Sequence, residues 1–269
     1  MPRRPACLIA CLLLSLAACR RESGPAQETP PPAPAAQAPA AGPLDDVVEQ
    51  DPRYVIGISY PPIARQYPDL AAELRRYADA ARAELMQALA GLDGKKPAVP
   101  YDLTLSFTQV AVSPDLIAIA ADGSVYTGGA HGNPLVATFV WLPKRGERLT
   151  IERLIPGDGA WRTLSAYVRD RLHTALAQRV AADHLPDDQR ASVLRDGGRM
   201  IDEGTGPDPR NFSQFLPVLG RGRKVVGLQF VFPPYQVGPY ADGKQTVEVP
   251  ADVLLPHVAP EYRRLFAGG

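Results

Sequence analysis

Two hydrophobic periods alternate along the chain, one of about two residues and one of three to four. Tyr54 to Tyr60 alternates and is rich in β-branched and aromatic residues, which predicts a strand closed by Pro61-Pro62. Leu70, Leu74, Tyr77, Ala81, Leu85 and Leu89 then recur at helical spacing. They predict one helix, capped by Asp69 and ended at Gly91 as its C′ residue. From Tyr101 to Val112 the period returns to two, with Leu103, Leu105 and Phe107 on one face and Asp102, Thr104, Ser106 and Thr108 on the other. Leu116 to Tyr126 and Leu135 to Leu142 predict two more strands, with Asp122-Gly123 as a turn or a bulge.

Beyond Pro156 to Gly159 the helical period resumes, and Trp161, Leu164, Val168, Leu172 and Leu176 form its apolar stripe. Asp183 to Arg210 is polar and rich in Asp, Gly and Pro, and predicts a short helix over 187–194 followed by a long loop. Phe212 to Leu219 and Val225 to Phe232 read as a hairpin around Gly220-Arg221-Gly222-Arg223. Thr246 to Val249 is a last short strand, and Pro250 opens a terminal helical turn. The order is βαβββ, then α, then βββ. It predicts an α+β fold with helices packed on antiparallel sheets.

The first residues follow a different logic. Arg3 and Arg4 precede a largely apolar run from Pro5 to Ala18, shorter than the ~20 residues a bilayer-spanning helix needs. This is the pattern of an export signal over 1–18. Its end, Leu16-Ala17-Ala18-Cys19, resembles the bacterial lipobox, in which the cysteine is lipidated and becomes the first mature residue. Such lipidation carries more than one acyl chain and gives stable membrane attachment. Arg20 stands where an Asp would resemble an inner-membrane retention signal, so the expected location is the outer membrane, facing the periplasm. Residues 19–43 then form a tether, with seven Pro and seven Ala between Arg20 and Pro43. It would reach roughly 30 Å as a coil.

Composition removes several classes of function. The 269 residues carry 29 Lys plus Arg against 29 Asp plus Glu, so no bulk positive charge marks a nucleic-acid binder. The three cysteines, Cys7, Cys11 and Cys19, all precede the predicted body. That leaves the body no disulfide, thiolate nucleophile or cysteine-based zinc site. The four histidines are His131, His173, His184 and His257, and no two are four apart. This excludes a paired-histidine metal site on one helix, and no metal or cofactor is expected. Gly238 to Gln245 approaches a nucleotide-binding P-loop but has Gln245 where magnesium needs Ser or Thr, and a strand follows. No nucleotide is expected either.

Two segments stand out. Tyr126-Thr127-Gly128-Gly129-Ala130-His131-Gly132-Asn133 puts three glycines and a histidine directly after a strand. Gly128 and Gly129 suit positive φ or a close backbone approach, whereas His131 and Tyr126 could equally face a partner from a rigid loop. Phe232 to Gly243 is stiffened by proline and carries Tyr235 and Tyr240. Each ring could fill a core gap or offer flat amphipathic surface to protein or sugar.

These two segments carry a resemblance. A Tyr-Thr-Gly-Gly-Ala-His-Gly loop, followed about a hundred residues later by Phe-x-Pro-Tyr-x-x-Gly-Pro-Tyr-Ala-x-Gly, resembles the extracellular domain shared by the anti-sigma factor RsiV and the non-catalytic part of the peptidoglycan deacetylase PdaC. The likeness runs from about Tyr54 to Val253. It implies two consecutive α+β units, 44–145 and 146–262, with a boundary near Lys144 to Thr150. It also implies binding to a lysozyme-type protein. There is no counterpart to the deacetylase domain with its metal-binding motifs, and no amino-terminal cytoplasmic segment or transmembrane helix as in the anti-sigma factor. The expectation is a non-catalytic, lipid-anchored binder of a lysozyme-type muramidase or of peptidoglycan, using Tyr126, Gly128, Gly129, His131, Tyr235 and Tyr240. A cell-wall hydrolase would need two carboxylates roughly 5–9.5 Å apart, and no spacing here selects such a pair.

Overall fold

The computed structural model describes residues 44–269. The expected export signal, the lipidation site Cys19 and the tether lie outside the described residues. Strand β1 (Val47–Asp51) pairs antiparallel with β2 (Tyr54–Ser59). Helix α1 (Pro68–Ala90) then carries the chain across to β3 (Tyr101–Val112), which lies parallel to β2. Strands β4 (Ile117–Tyr126), β5 (Asn133–Leu142) and the two-residue β6 (Glu147–Arg148) follow as an antiparallel meander. These six form one sheet in chain order, with a single parallel pair at β2·β3. A parallel neighbour needs a crossover, and α1 supplies it.

Helix α1 is where its period placed it. Leu70, Leu74, Ala81, Leu85 and Leu89 are buried, and Tyr77 packs half-buried beside them. They meet Leu103, Leu105 and Phe107 on the inner face of β3. Tyr60 stacks on Phe107 at 5.0 Å, and Tyr77 meets both Phe107 and Phe139 edge-on. The ends of α1 differ from expectation. Tyr67 is the N-cap, Pro68 opens the helix and Asp69 sits inside the first turn, where its charge favours the helix dipole. Gly91 keeps right-handed φ of −65°, and the left-handed residues come later, at Asp93 and Gly94.

Asp122-Gly123 is neither turn nor bulge, because β4 runs straight through it. Gly123 is needed for another reason. A Cβ there would collide with the Thr104 carbonyl oxygen and lie 2.8 Å from Leu105 Cα on β3. The irregularity of that ladder falls in β3 instead, between Gln109 and Ala111.

Helices α2 (Ile151–Leu154), α3 (Asp158–Ala182) and α4 (Asp187–Gly204) precede the second sheet. This sheet is the antiparallel trio β7 (Phe215–Leu219), β8 (Val225–Phe232) and β9 (Gln245–Pro250). Short helices α5 (Ala251–Leu254) and α6 (Pro260–Arg263) follow. The predicted stripe of α3 is buried throughout, from Trp161 to Leu176. Trp161 stacks on Phe212 at 5.2 Å, and Phe212 meets Phe230 and Phe232 edge-on. Phe212 ends a 3-10 turn, so β7 begins three residues later than the pattern predicts.

The stretch expected to be a short helix and a long loop is an eighteen-residue helix, α4. Gly197 and Gly198 ordinarily weaken a helix. Here they let it seat on α3, since a Cβ at 197 would press Leu176 Cδ2 at 3.0 Å and one at 198 would press the His173 ring at 3.3 Å. His173 flanks the α3 stripe and pairs with Asp202 of α4 at 3.0 Å.

Strand β5 has both faces buried and belongs to two cores. Phe139 and Trp141 face the α1 core, while Val140 and Leu142 join the core around α3. Between the sheets lie small residues, Ala118, Ala120 and Ala111, against Leu216 and Val231. Small side chains let the two layers approach closely. Thr138 of β5 sits at this contact. Its amide and hydroxyl donate to Gln214 Oε1 at 2.7 and 3.2 Å, and its Oγ1 accepts from the Phe215 amide at 2.9 Å. Arg148 donates to the Thr138 carbonyl at 2.8 Å and lies 4.8 Å over the Phe139 ring. Burial pushes its guanidinium pKa below the usual arginine range.

Candidate functional site

The β4–β5 connection and the β8–β9 connection meet, although they belong to different sheets. The first is held open by backbone geometry. Gly128 and Gly129 take φ of +101° and +102°, values that L side chains rarely adopt. The Tyr126 hydroxyl donates to the Gly129 carbonyl at 3.2 Å and ties the loop to its own strand. The turn then delivers His131 to the surface, with its Nδ1 3.1 Å from the Gly132 carbonyl oxygen.

The second connection is longer and more heavily tied. Its Tyr235 amide donates to the Gly238 carbonyl at 2.9 Å, and the Gln236 amide to the Pro233 carbonyl at 3.1 Å. The Gln236 side chain donates to two carbonyls outside the loop, Gly204 at 3.0 Å and Asn211 at 2.8 Å. Arg179 of α3 holds Asp242 at 2.7 Å. Lys244 pairs with Asp122 on β4. The loop is thereby fastened to α3, to the end of α4 and to the other sheet. Gly204 permits the approach at α4, because a Cβ there would lie inside contact distance of the Gln236 carbonyl.

At the meeting point the His131 ring stacks on Tyr240, with centroids 3.9 Å apart and planes 12° apart. Tyr235 closes the group. Its hydroxyl lies 3.0 Å from His131 Nε2 and its ring centroid 5.8 Å from that of Tyr240. A carbonyl oxygen only accepts, so Nδ1 of a neutral His131 carries the proton and Nε2 accepts from the Tyr235 hydroxyl. Tyr235 is 52% exposed and has φ of +73°. A non-glycine residue held in the left-handed region stores strain that the surrounding bonds must offset. The result is a fixed aromatic platform with one tyrosine face open.

The structure thus brings together three of the six predicted residues, His131, Tyr235 and Tyr240. Tyr126, Gly128 and Gly129 shape the loop that presents His131. Gln236, Arg179, Asp242, Asp122 and Lys244 were not predicted as site residues. Gln236 and Asp242 lie within the distinctive Phe232–Gly243 segment, but the contacts through which all five act join positions far apart in sequence, and no local pattern marks those pairings. The P-loop-like stretch forms a 3-10 turn over Tyr240–Asp242 and then β9. Among the described residues there is no group of three or more His, Cys, Asp or Glu placed to hold a metal ion. No helix among them is long and apolar enough to cross a membrane.

Residues 162–252 match the family DUF3298, described as a protein of unknown function, so the chain carries a DUF3298 domain that begins within α3 and ends within α5. That range contains Tyr235 and Tyr240 and stops short of His131. A crystal structure of a DUF3298 family protein from Pseudomonas aeruginosa PAO1 is similar at 18% identity and a TM-score of 0.51, over 84% of this chain and all of that one. This likeness is one of fold. A member of the same family from Bacteroides fragilis NCTC 9343 aligns at 17% identity and a TM-score of 0.43, over 78% of this chain and 86% of that one. No curated protein matches the chain.

Proposed function

We propose that this chain is a lipoprotein, attached through Cys19 to the outer membrane and facing the periplasm, whose RsiV-like, PdaC-like body binds a cell-wall-associated ligand without catalysis. The first candidate ligand is a lysozyme-type muramidase. The observation that carries the reading is the His131–Tyr235–Tyr240 platform, assembled from the two segments whose residues resemble that family. Rigid, amphipathic rings are the side chains that most often dominate protein docking, because they bury much area and lose little conformational freedom. The ties through Gln236, Arg179 and Lys244 support it further, since a preordered surface pays less entropy on binding. The exposed Tyr235 ring also suits stacking against a sugar, which favours peptidoglycan as the second reading.

Calorimetric titration of the detergent-solubilised full chain with a c-type lysozyme tests the first reading. Saturable binding at about 1 μM or tighter, weakened at least tenfold by Tyr235→Ala and by His131→Ala, is the expected result. No heat with lysozyme, together with co-sedimentation on purified sacculi that Tyr235→Ala abolishes, supports the second reading. Mass spectrometry of membrane-extracted protein, with and without Cys19→Ala, tests the anchor.

A further inference from the structure

A cavity of about 370 Å³ opens between α3, α4 and the Pro-Tyr loop. One wall is continuous with the platform, because Pro239 and Asp242 line it and Tyr240 lies between them. Leu176, Val193 and Met200 give it an apolar surface, and Val193 remains 38% exposed. The contact of Gly197 with Leu176 fixes the spacing of its two helical walls.

The charges around that apolar surface do not balance. Asp183, Asp196 and Asp242 line the cavity with Arg179, three carboxylates to one guanidinium. Arg179 is already committed to Asp242 at 2.7 Å. Asp196 accepts from Ser192 at 3.1 Å and pairs with Arg199 at 3.5 Å, which leaves one carboxylate in excess even with Arg199 counted. Asp183 makes no ion pair among the described residues. An anion would meet net negative charge here, and a purely apolar group would cover the carboxylates without matching them. A cation on a flexible aliphatic stem meets both demands: the methylenes cover Leu176, Val193 and Met200, and the head reaches Asp183 and Asp196.

We propose that this cavity is an anchor subsite for a lysine or arginine side chain of the docked protein, seated beside the tyrosine platform. It rests on the reading of the platform as a protein-docking face. A partner bridging both would place an aromatic or apolar contact on Tyr235 and a basic side chain in the cavity. The charge pairing selects partners with a basic surface.

The test uses n-butylammonium as the probe, with n-butanol and butyrate as controls, and reads the NMR signals of Val193, Gly197 and Met200 in the full-length protein. Saturating shifts with n-butylammonium alone, weakened about fivefold when Asp183→Asn and Asp196→Asn are combined, are expected. Equal responses to n-butanol and n-butylammonium, no response at all, or no change in the double variant would overturn the subsite. The same variant is then titrated with a c-type lysozyme. Weakened binding places a basic side chain of that partner in the cavity, and unchanged binding overturns the anchor role. If wild type takes n-butylammonium but not lysozyme, the charge selectivity of the cavity stands and the muramidase reading fails.

Discussion

The hydroxyl of Tyr235 lies 3.0 Å from Nε2 of His131 across 104 positions of sequence, and it joins the two sheets through one hydrogen bond at the surface. The second ring nitrogen faces the Gly132 carbonyl, so the neutral imidazole holds its proton on Nδ1. Nitrogen NMR of the neutral histidine should therefore show His131 protonated at Nδ1. Tyr235→Phe removes the donor to Nε2 and should move the signal toward a mixture of tautomers. Persistence of a pure Nδ1–H form in that variant would show that the Gly132 carbonyl alone selects it.

Gly204 closes α4 against the carbonyl of Gln236. A methyl group there meets backbone rather than a side chain that can turn aside. Gly204→Ala should lower stability by about 1–3 kcal/mol in denaturant unfolding, despite the better helix propensity of alanine. It should also shift the NMR signals of Tyr235 and Tyr240, because the loop must move to make room.

Thr138 bridges β5 to the segment leading into β7 through both its amide and its hydroxyl. Thr138→Val preserves shape but leaves the Phe215 amide without its acceptor. A buried donor left unpaired costs about 1–3 kcal/mol. Thermal unfolding should report that loss, and Thr138→Ser should restore most of it.

The Arg82 guanidinium grips Glu49 at 3.0 Å and holds its carboxyl below the usual 4.5. A carboxylate with a depressed folded-state pKa binds fewer protons folded than unfolded. Its stabilising contribution is complete above pH 4.5 and disappears as pH falls through the lower folded value. Glu49→Gln should therefore flatten the acid limb of a stability–pH profile in that window, with a small effect at neutral pH because the pair is partly solvated.

The regular elements were legible where burial follows a local period. Leu103, Leu105 and Phe107 alternate inward, and Trp161 to Leu176 recur on one helical face, so both patterns survive folding. Strand β1 was not legible, since Val47 to Asp51 shows no alternation a reader can act on and owes its place to the edge of β2. The full length of α4 was hidden by Gly197 and Gly198, whose value lies in contact with Leu176 and His173 rather than in propensity. At the candidate site the unusual loops were visible. Their union was not, because His131 and Tyr240 come together only after two separate sheets have formed and packed.

The Pro-Tyr loop is fastened both to its own α3 by Arg179–Asp242 and to the opposite sheet by Lys244–Asp122. Anything that grips His131 and Tyr235 together holds a seam, and the seam opens only if the two layers slide apart. Occupancy would therefore act as a clasp: free energy gained at the surface is withheld from every motion that separates the layers. Hydrogen exchange at Thr138 and Phe215, which are buried and join the same two layers, would slow on binding as fully as exchange at the platform itself.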